Sequence, residues 1–149
     1  MIQAHDSVIV LTLGRLLIPL VQLYGLYVLF LGQYTPGGGF VGGVIFATSM
    51  IISILIFGPS GSYSSLARNV VNGDGLGLLI FVGVGVLCLI GGGQFLNYAG
   101  IEIPGLEVAS RRYLGILLTQ IGVAVDVAVT GISIVFSLSY DNNDRESRA

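Results

Sequence analysis

Charge is scarce in this chain. Only 9% of its 149 residues are Asp, Glu, Lys or Arg, and it has no lysine and no tryptophan. A soluble domain carries roughly 25% charged residues, so this sequence could not cover a surface facing water. The net charge of −2 says little about partners, and no basic run supports nucleic-acid binding. The single cysteine, Cys88, sits in an apolar run, so an intrachain disulfide and a cysteine metal cluster are both ruled out, and it reads as a small hydrophobe. No secretory signal is expected. The first residues carry Asp6 and no Arg or Lys, and the apolar stretch that follows is too long for a signal core and lacks a small-residue cleavage site. Neither a Ser/His/Asp set nor a nucleotide-binding motif is present, which argues against an enzyme active site.

Long apolar runs, by contrast, are abundant. The chain is 54% hydrophobic, with a mean hydropathy of +0.91. Four runs stand out, at about residues 8–31, 39–57, 76–96 and 113–138. Each approaches the ~20 residues that a helix rising 1.5 Å per residue needs to cross a ~30 Å hydrocarbon core. Inside lipid the backbone must satisfy its own hydrogen bonds, so the many Val and Ile residues do not argue for strands. The expected fold is an all-α integral membrane protein of four transmembrane helices, in one domain covering residues 1–149. Residues 32–38 form a short uncharged loop that makes the first two helices a tight hairpin, residues 58–75 and 97–112 form polar loops, and residues 141–149 form a charged, disordered tail. Four spans place both termini on one side. The distribution of Arg68, Arg145 and Arg148 against Arg111 and Arg112 favours the cytoplasm for that side.

Asp126 is the sharpest candidate for chemistry, because it falls near the middle of the fourth run, at about the bilayer midplane. A carboxylate there costs about 2.5–3.5 kcal/mol on insertion scales, so it must face protein or water. Thr119, Gly122, Thr130, Ser133 and Ser137 recur at three- and four-residue spacings around it and share its helical face. Asp126 therefore either binds or relays a cation or proton, with Thr119 and Thr130 beside the path, or is hydrogen-bonded at a subunit contact. Arg15 lies about two turns into the first run. It either snorkels to the headgroups or pairs with a carboxylate, from Asp126 or from a neighbouring subunit. Pro19 should kink that helix, and Gln22 and Tyr24 read as interhelix hydrogen-bonding groups. His5 reads as an exposed terminal histidine, and Glu102 and Glu107 as solvated loop charges.

The densest glycine stretch is Pro36-Gly37-Gly38-Gly39-Phe40-Val41-Gly42-Gly43. Each glycine costs about 1 kcal/mol against alanine in a helix interior, so the backbone itself must be needed there. Gly39, Gly43 and Ala47 form one small-xxx-small row and Gly38 with Gly42 another, as close helix contact in a membrane requires. Without a Gly-Lys-Ser/Thr ending, a phosphate cradle is unsupported. Gly91-Gly92-Gly93 reads as a loosened helix or another close contact.

Arg15-Leu16-Leu17, Pro19, Gly32-Gln33 and then Pro36-Gly37-Gly38-Gly39-Phe40 with Gly42-Gly43 resemble the MnhB-type family, whose members are small subunits of Mrp-type Na⁺/H⁺ antiporters. The same module is similar to subunits of membrane-bound hydrogenases and sulfur-reducing complexes. The resemblance implies a small accessory membrane subunit that works with other membrane subunits, helps form the sodium-translocation region or joins modules, and carries no redox cofactor. Na⁺ and H⁺ would be the transported ions. Two departures suggest a divergent subunit. Gln33 stands where the family often has histidine, and Gln120, before Ile121-Gly122-Val123, stands where it often has an acid. Asp126 is about 120° around the helix from Gln120 by the 3.6-residue period, so that position does not transfer to it. A free-standing transporter resembling small multidrug pumps ranks last, because those use a glutamate in a first helix that here carries Arg15 and no acid.

Overall fold

The computed structural model describes residues 8–57, 75–100, 105 and 107–146, with the backbone alone at 100 and 136–146. All regular structure among them is helical. Helix α1 runs over Val8–Leu31, α2 over Gly39–Phe57, α3 over Leu76–Ile90 and α4 over Val108–Glu146, with a 3₁₀ turn at Tyr98–Gly100. Three stretches, Val8–Leu31, Gly39–Phe57 and Val108–Val135, are long and apolar enough to cross a membrane. The 15 residues of α3 rise about 22 Å, short of a ~30 Å core.

The helices stand in the order α1, α2, α4, α3, because the extensive contacts join α1 to α2, α2 to α4 and α4 to α3. Direction follows from which glycines meet which neighbours. Gly14 faces Ile56 and Phe57 while Gly25 faces Ile45 and Phe46, so α1 and α2 are antiparallel. Gly39 meets Gln120, Gly43 meets Ala124 and Val127, and Gly131 meets Ala47, so α2 and α4 are parallel. Gly77 meets Gly122 and Asp126 while Phe81 also reaches Gly122, so α3 runs against α4. The start of α1, the end of α2 and the end of α4 therefore share one end of the row.

Three element ends differ from the sequence reading: the end of α3 and both ends of α4, which starts at Val108, five residues before the expected 113. The third run stops being helical at Ile90 rather than continuing to Leu96. Gly91 caps it, Gly92 takes φ 78°, and the amides of Gly92 and Gly93 donate to Leu89 and Cys88 at 3.1 and 3.2 Å. This is a Schellman ending, which satisfies the last carbonyls and turns the chain away. The apolar residues beyond it fold back, and the Phe95 ring lies on Gly85. At the other end of the chain, α4 continues through Asp141 to Glu146, where the charged composition had suggested a disordered tail. Helix satisfies the backbone as well in water as in lipid, so loss of hydrophobicity need not end it. His5, residues 58–74 and Glu102 lie outside the described residues.

Little of the apolar side-chain surface is buried within the chain. The buried hydrophobic residues are Ile18, Val28, Leu29, Ala47, Val84, Cys88, Ala124, Val129 and Ile132. Only 17% of α1's most apolar window is buried, against 28% for α2 and for residues 108–135. In water such exposure would drive aggregation, whereas in a bilayer it can face lipid.

Candidate functional site

The polar groups of α4 gather where α2, α3 and the 3₁₀ turn reach it. α2 begins against Gln120. Its first amide, on Gly39, has no donor role within the helix, and the Gln120 side-chain oxygen accepts from it at 2.5 Å. The preceding Gly38 has φ 110° and a Cβ there would strike the same amide. A Cβ on Gly39 would overlap the Gln120 carbonyl oxygen, and one on Gly43 would stand 2.7 Å from the Ala124 carbonyl. Loop one is closed on itself. Gly32 lies against the Gly38 backbone, Gly37 against Val28, and Pro36 is exposed at the turn. Gly42 faces the other way, onto Gly25 and Leu29 of α1.

One residue earlier on α4, Thr119 donates to the Gly115 carbonyl at 2.7 Å and lies 2.8 Å from the Tyr98 hydroxyl. A threonine hydroxyl has one proton. With that proton committed to Gly115, the Tyr98 phenol donates to Thr119. Gly115 makes room for the Tyr98 ring. Thr119 is therefore occupied as a fastening point for the 3₁₀ turn.

Further along the same face, α3 begins beside Asp126. A Cβ on Gly77 would overlap the Asp126 amide nitrogen and the Gly122 carbonyl oxygen and would stand 2.7 Å from the Asp126 Cβ. Asp126 is half-buried and has no ion-pair partner among the described residues. Thr130, one turn on, is exposed, and the half-buried Ser133 has a hydroxyl without a hydrogen-bond partner among the described residues. Asp126 follows Gln120 by six residues, about 9 Å along the helix, so it lies about a third of the way along α2 from its hairpin end.

Arg15 is exposed on α1 and is not brought to Asp126. α2 stands between their helices. Arg15 is also level with the last turns of α2, whereas Asp126 is level with Gly43, about 15 Å away along the axis. Gln120, Tyr98 and Gly77 are the residues that sequence reasoning did not assign to the site. The pairing of Gly39 with Gln120 spans 81 positions, and no spacing rule could have found it. Gly77, lying two residues after Gly75, did carry a signal as a small residue opening an apolar run.

Comparison with known proteins shows the family. Residues 9–133 match the family described as a domain related to the MnhB subunit of Na⁺/H⁺ antiporter. The B-type subunit of the Na⁺/H⁺ antiporter of Alkalihalophilus pseudofirmus is 32% identical over 133 residues, which cover 84% of this chain and 92% of the relative. Its counterpart in Bacillus subtilis is 30% identical over 135 residues, covering 86% and 94%. The match runs from the start of α1 past Asp126 and includes every contact described above, and the chain belongs to the MnhB family.

Proposed function

We propose that this chain is a membrane subunit of a multisubunit Na⁺/H⁺ antiporter in the cell membrane, and that it contributes Asp126 to the ion path. Membership of the MnhB family, across residues 9–133, is the observation that carries the subunit reading. The relatives named as Na⁺/H⁺ antiporter subunits supply the ions. They also supply the expectation of further membrane subunits as partners.

The ionic role rests on Asp126 itself. A carboxylate at membrane depth is retained at a cost of about 2.5–3.5 kcal/mol, which an unpaired structural residue does not justify. Asp126 has no cationic partner among the described residues, and Thr130 extends its polar face. In this reading Asp126 holds or passes a cation or proton, and Thr130 offers it a neighbouring oxygen. Thr119, tied to Tyr98, keeps the wall of that face in place. α3, with the segment up to Tyr98, forms the fourth crossing, and the termini face the cytoplasm.

Asp126→Asn in the assembled complex is the test. We expect Na⁺-dependent H⁺ exchange in membrane vesicles to fall at least ten-fold while co-purification of the other subunits is unchanged. Exchange at the normal rate would remove the ionic role. It would favour the structural reading, in which the glycine contacts of α2 with α4 serve only to join modules.

A further inference from the structure

A path around Asp126 leaves α1 with a polar stripe that nothing among the described residues explains. Arg15, Pro19 and Gln22 fall within about 60° of one another around the helix. Arg15 and Pro19 are exposed and Gln22 is half-buried. The stripe lies to the side of the surface through which Gly14, Ile18, Gly25 and Leu29 are buried. Among the described residues, neither Arg15 nor Gln22 has a hydrogen-bond or ion-pair partner. Pro19, inside the helix, has no N–H to give the Arg15 carbonyl four residues earlier. One face of α1 thus presents a guanidinium, an acceptor released from the helix ladder and a carboxamide.

Depth along α1 decides what covers this face. Arg15 is seven residues past Val8, about 10 Å into the helix, and a lipid phosphate could receive it. Gln22 is about 20 Å in, near the middle of a ~30 Å core, beyond reach of any headgroup. A phosphate also brings no donor for the freed carbonyl. A neighbouring transmembrane helix can meet all three at once, with a carboxylate for the guanidinium and side-chain donors for the carbonyl and the amide. Polar groups in this setting characteristically face another helix rather than lipid.

We propose that the Arg15–Gln22 face of α1 is the docking site for a transmembrane helix of another subunit, one that presents an Asp or Glu to Arg15. This rests on the reading of the chain as one subunit of a membrane complex. Among the described residues α1 stands at the end of the row, packed mainly on α2 with a slight contact to α4, so the site is open to such a partner.

The experiment places the photoprobe benzoylphenylalanine at Gln22 or Leu26, on the stripe, and at Leu13 or Leu20, on the opposite face, in the full chain expressed with its complex. After irradiation of native membranes, the crosslinked peptides are mapped by mass spectrometry. The stripe probes should join one apolar segment of another subunit that carries an acidic residue level with Arg15, at five-fold or greater yield over the opposite face. Arg15→Glu should then reduce co-purification of that subunit at least ten-fold, and replacing the mapped acid with arginine should restore it to within two-fold. Arg15→Gln, which removes the charge alone, should reduce co-purification while the amount of chain in the membrane stays normal. Lipid adducts alone from the stripe, or unchanged co-purification in both Arg15→Glu and Arg15→Gln, would overturn the proposal while leaving the subunit reading intact. If the unaltered chain co-purifies with no membrane subunit, the subunit reading falls and this inference falls with it.

Discussion

At the scale of single residues, the arrangement depends on places where a side chain would not fit. Gly77 is the sharpest of these, because its missing Cβ lets α3 start directly on the Gly122 and Asp126 backbone. Gly77→Ala would place a methyl group against backbone atoms that cannot rotate away. Overpacking of this kind costs about 1–3 kcal/mol. We expect the variant to lower the thermal unfolding midpoint of the detergent-solubilised protein. Gly83 is the control in the same helix, since a Cβ there meets nothing within 4 Å. Gly83→Ala should leave the midpoint unchanged or raise it slightly through better helix propensity, worth about 1 kcal/mol at most. Equal effects of the two variants would mean that α3 does not rest on α4 through Gly77. The two positions look alike in the sequence, since each is a glycine in an apolar run. What separates them is a neighbour 45 to 49 positions away, which composition cannot reveal. Asp126 was legible for the opposite reason, because a charge in an apolar helix is conspicuous without any partner.

At the scale of elements, hydrophobicity and hydrogen bonding set different boundaries. α1 and α2 are bounded by loop one, whose glycines and Pro36 break both the apolar run and the helix ladder at the same place. α3 separates the two signals. Its apolar run continues to Leu96, but the ladder is capped at Gly91–Gly93, and Phe95 returns to cover Gly85. α4 separates them the other way, as the ladder outlasts the hydrophobicity at both ends. Lipid contact is what an apolar run records, and α3 shows that such contact can be met by a returning loop. The Schellman ending makes this testable at Gly92, where φ is 78° and the space around a Cβ is open. Gly92→Ala should cost only the left-handed backbone penalty of about 1–2 kcal/mol. Its signature should be local, with faster amide hydrogen exchange over the last turn of α3 and α1 and α2 unaffected. Exchange unchanged in that turn would show that the chain leaves α3 by another route.

At the scale of the whole molecule, the described helices form an open row without a closed interior among them, and its two flanks differ. One flank is α1, with its polar stripe. The other is α3, which is too short to cross a membrane by itself and starts beside the carboxylate of the fourth helix. Among the described residues few side chains are buried, so a protein built this way relies on its bilayer surroundings more than on its own core. The helix directions determine which ends lie together, and this can be measured in intact cells. Cys88 is fully buried, so Cys88→Ala gives a background without a native thiol. Val8→Cys and Glu146→Cys belong to the end shared by the start of α1 and the end of α4. Tyr34→Cys and Glu107→Cys belong to the opposite end, where Gln33 reaches the Tyr113 carbonyl at 3.5 Å. A membrane-impermeant maleimide applied outside intact cells should label one pair at least ten-fold more than the other, and inverted vesicles should reverse the preference. With cytoplasmic termini, Tyr34→Cys and Glu107→Cys are the pair labelled in intact cells. The reverse pattern would keep the helix directions and turn the protein over in the membrane. Labelling of Tyr34→Cys together with Val8→Cys would mean that α1 does not cross, and the antiparallel hairpin would then lie on the membrane rather than through it.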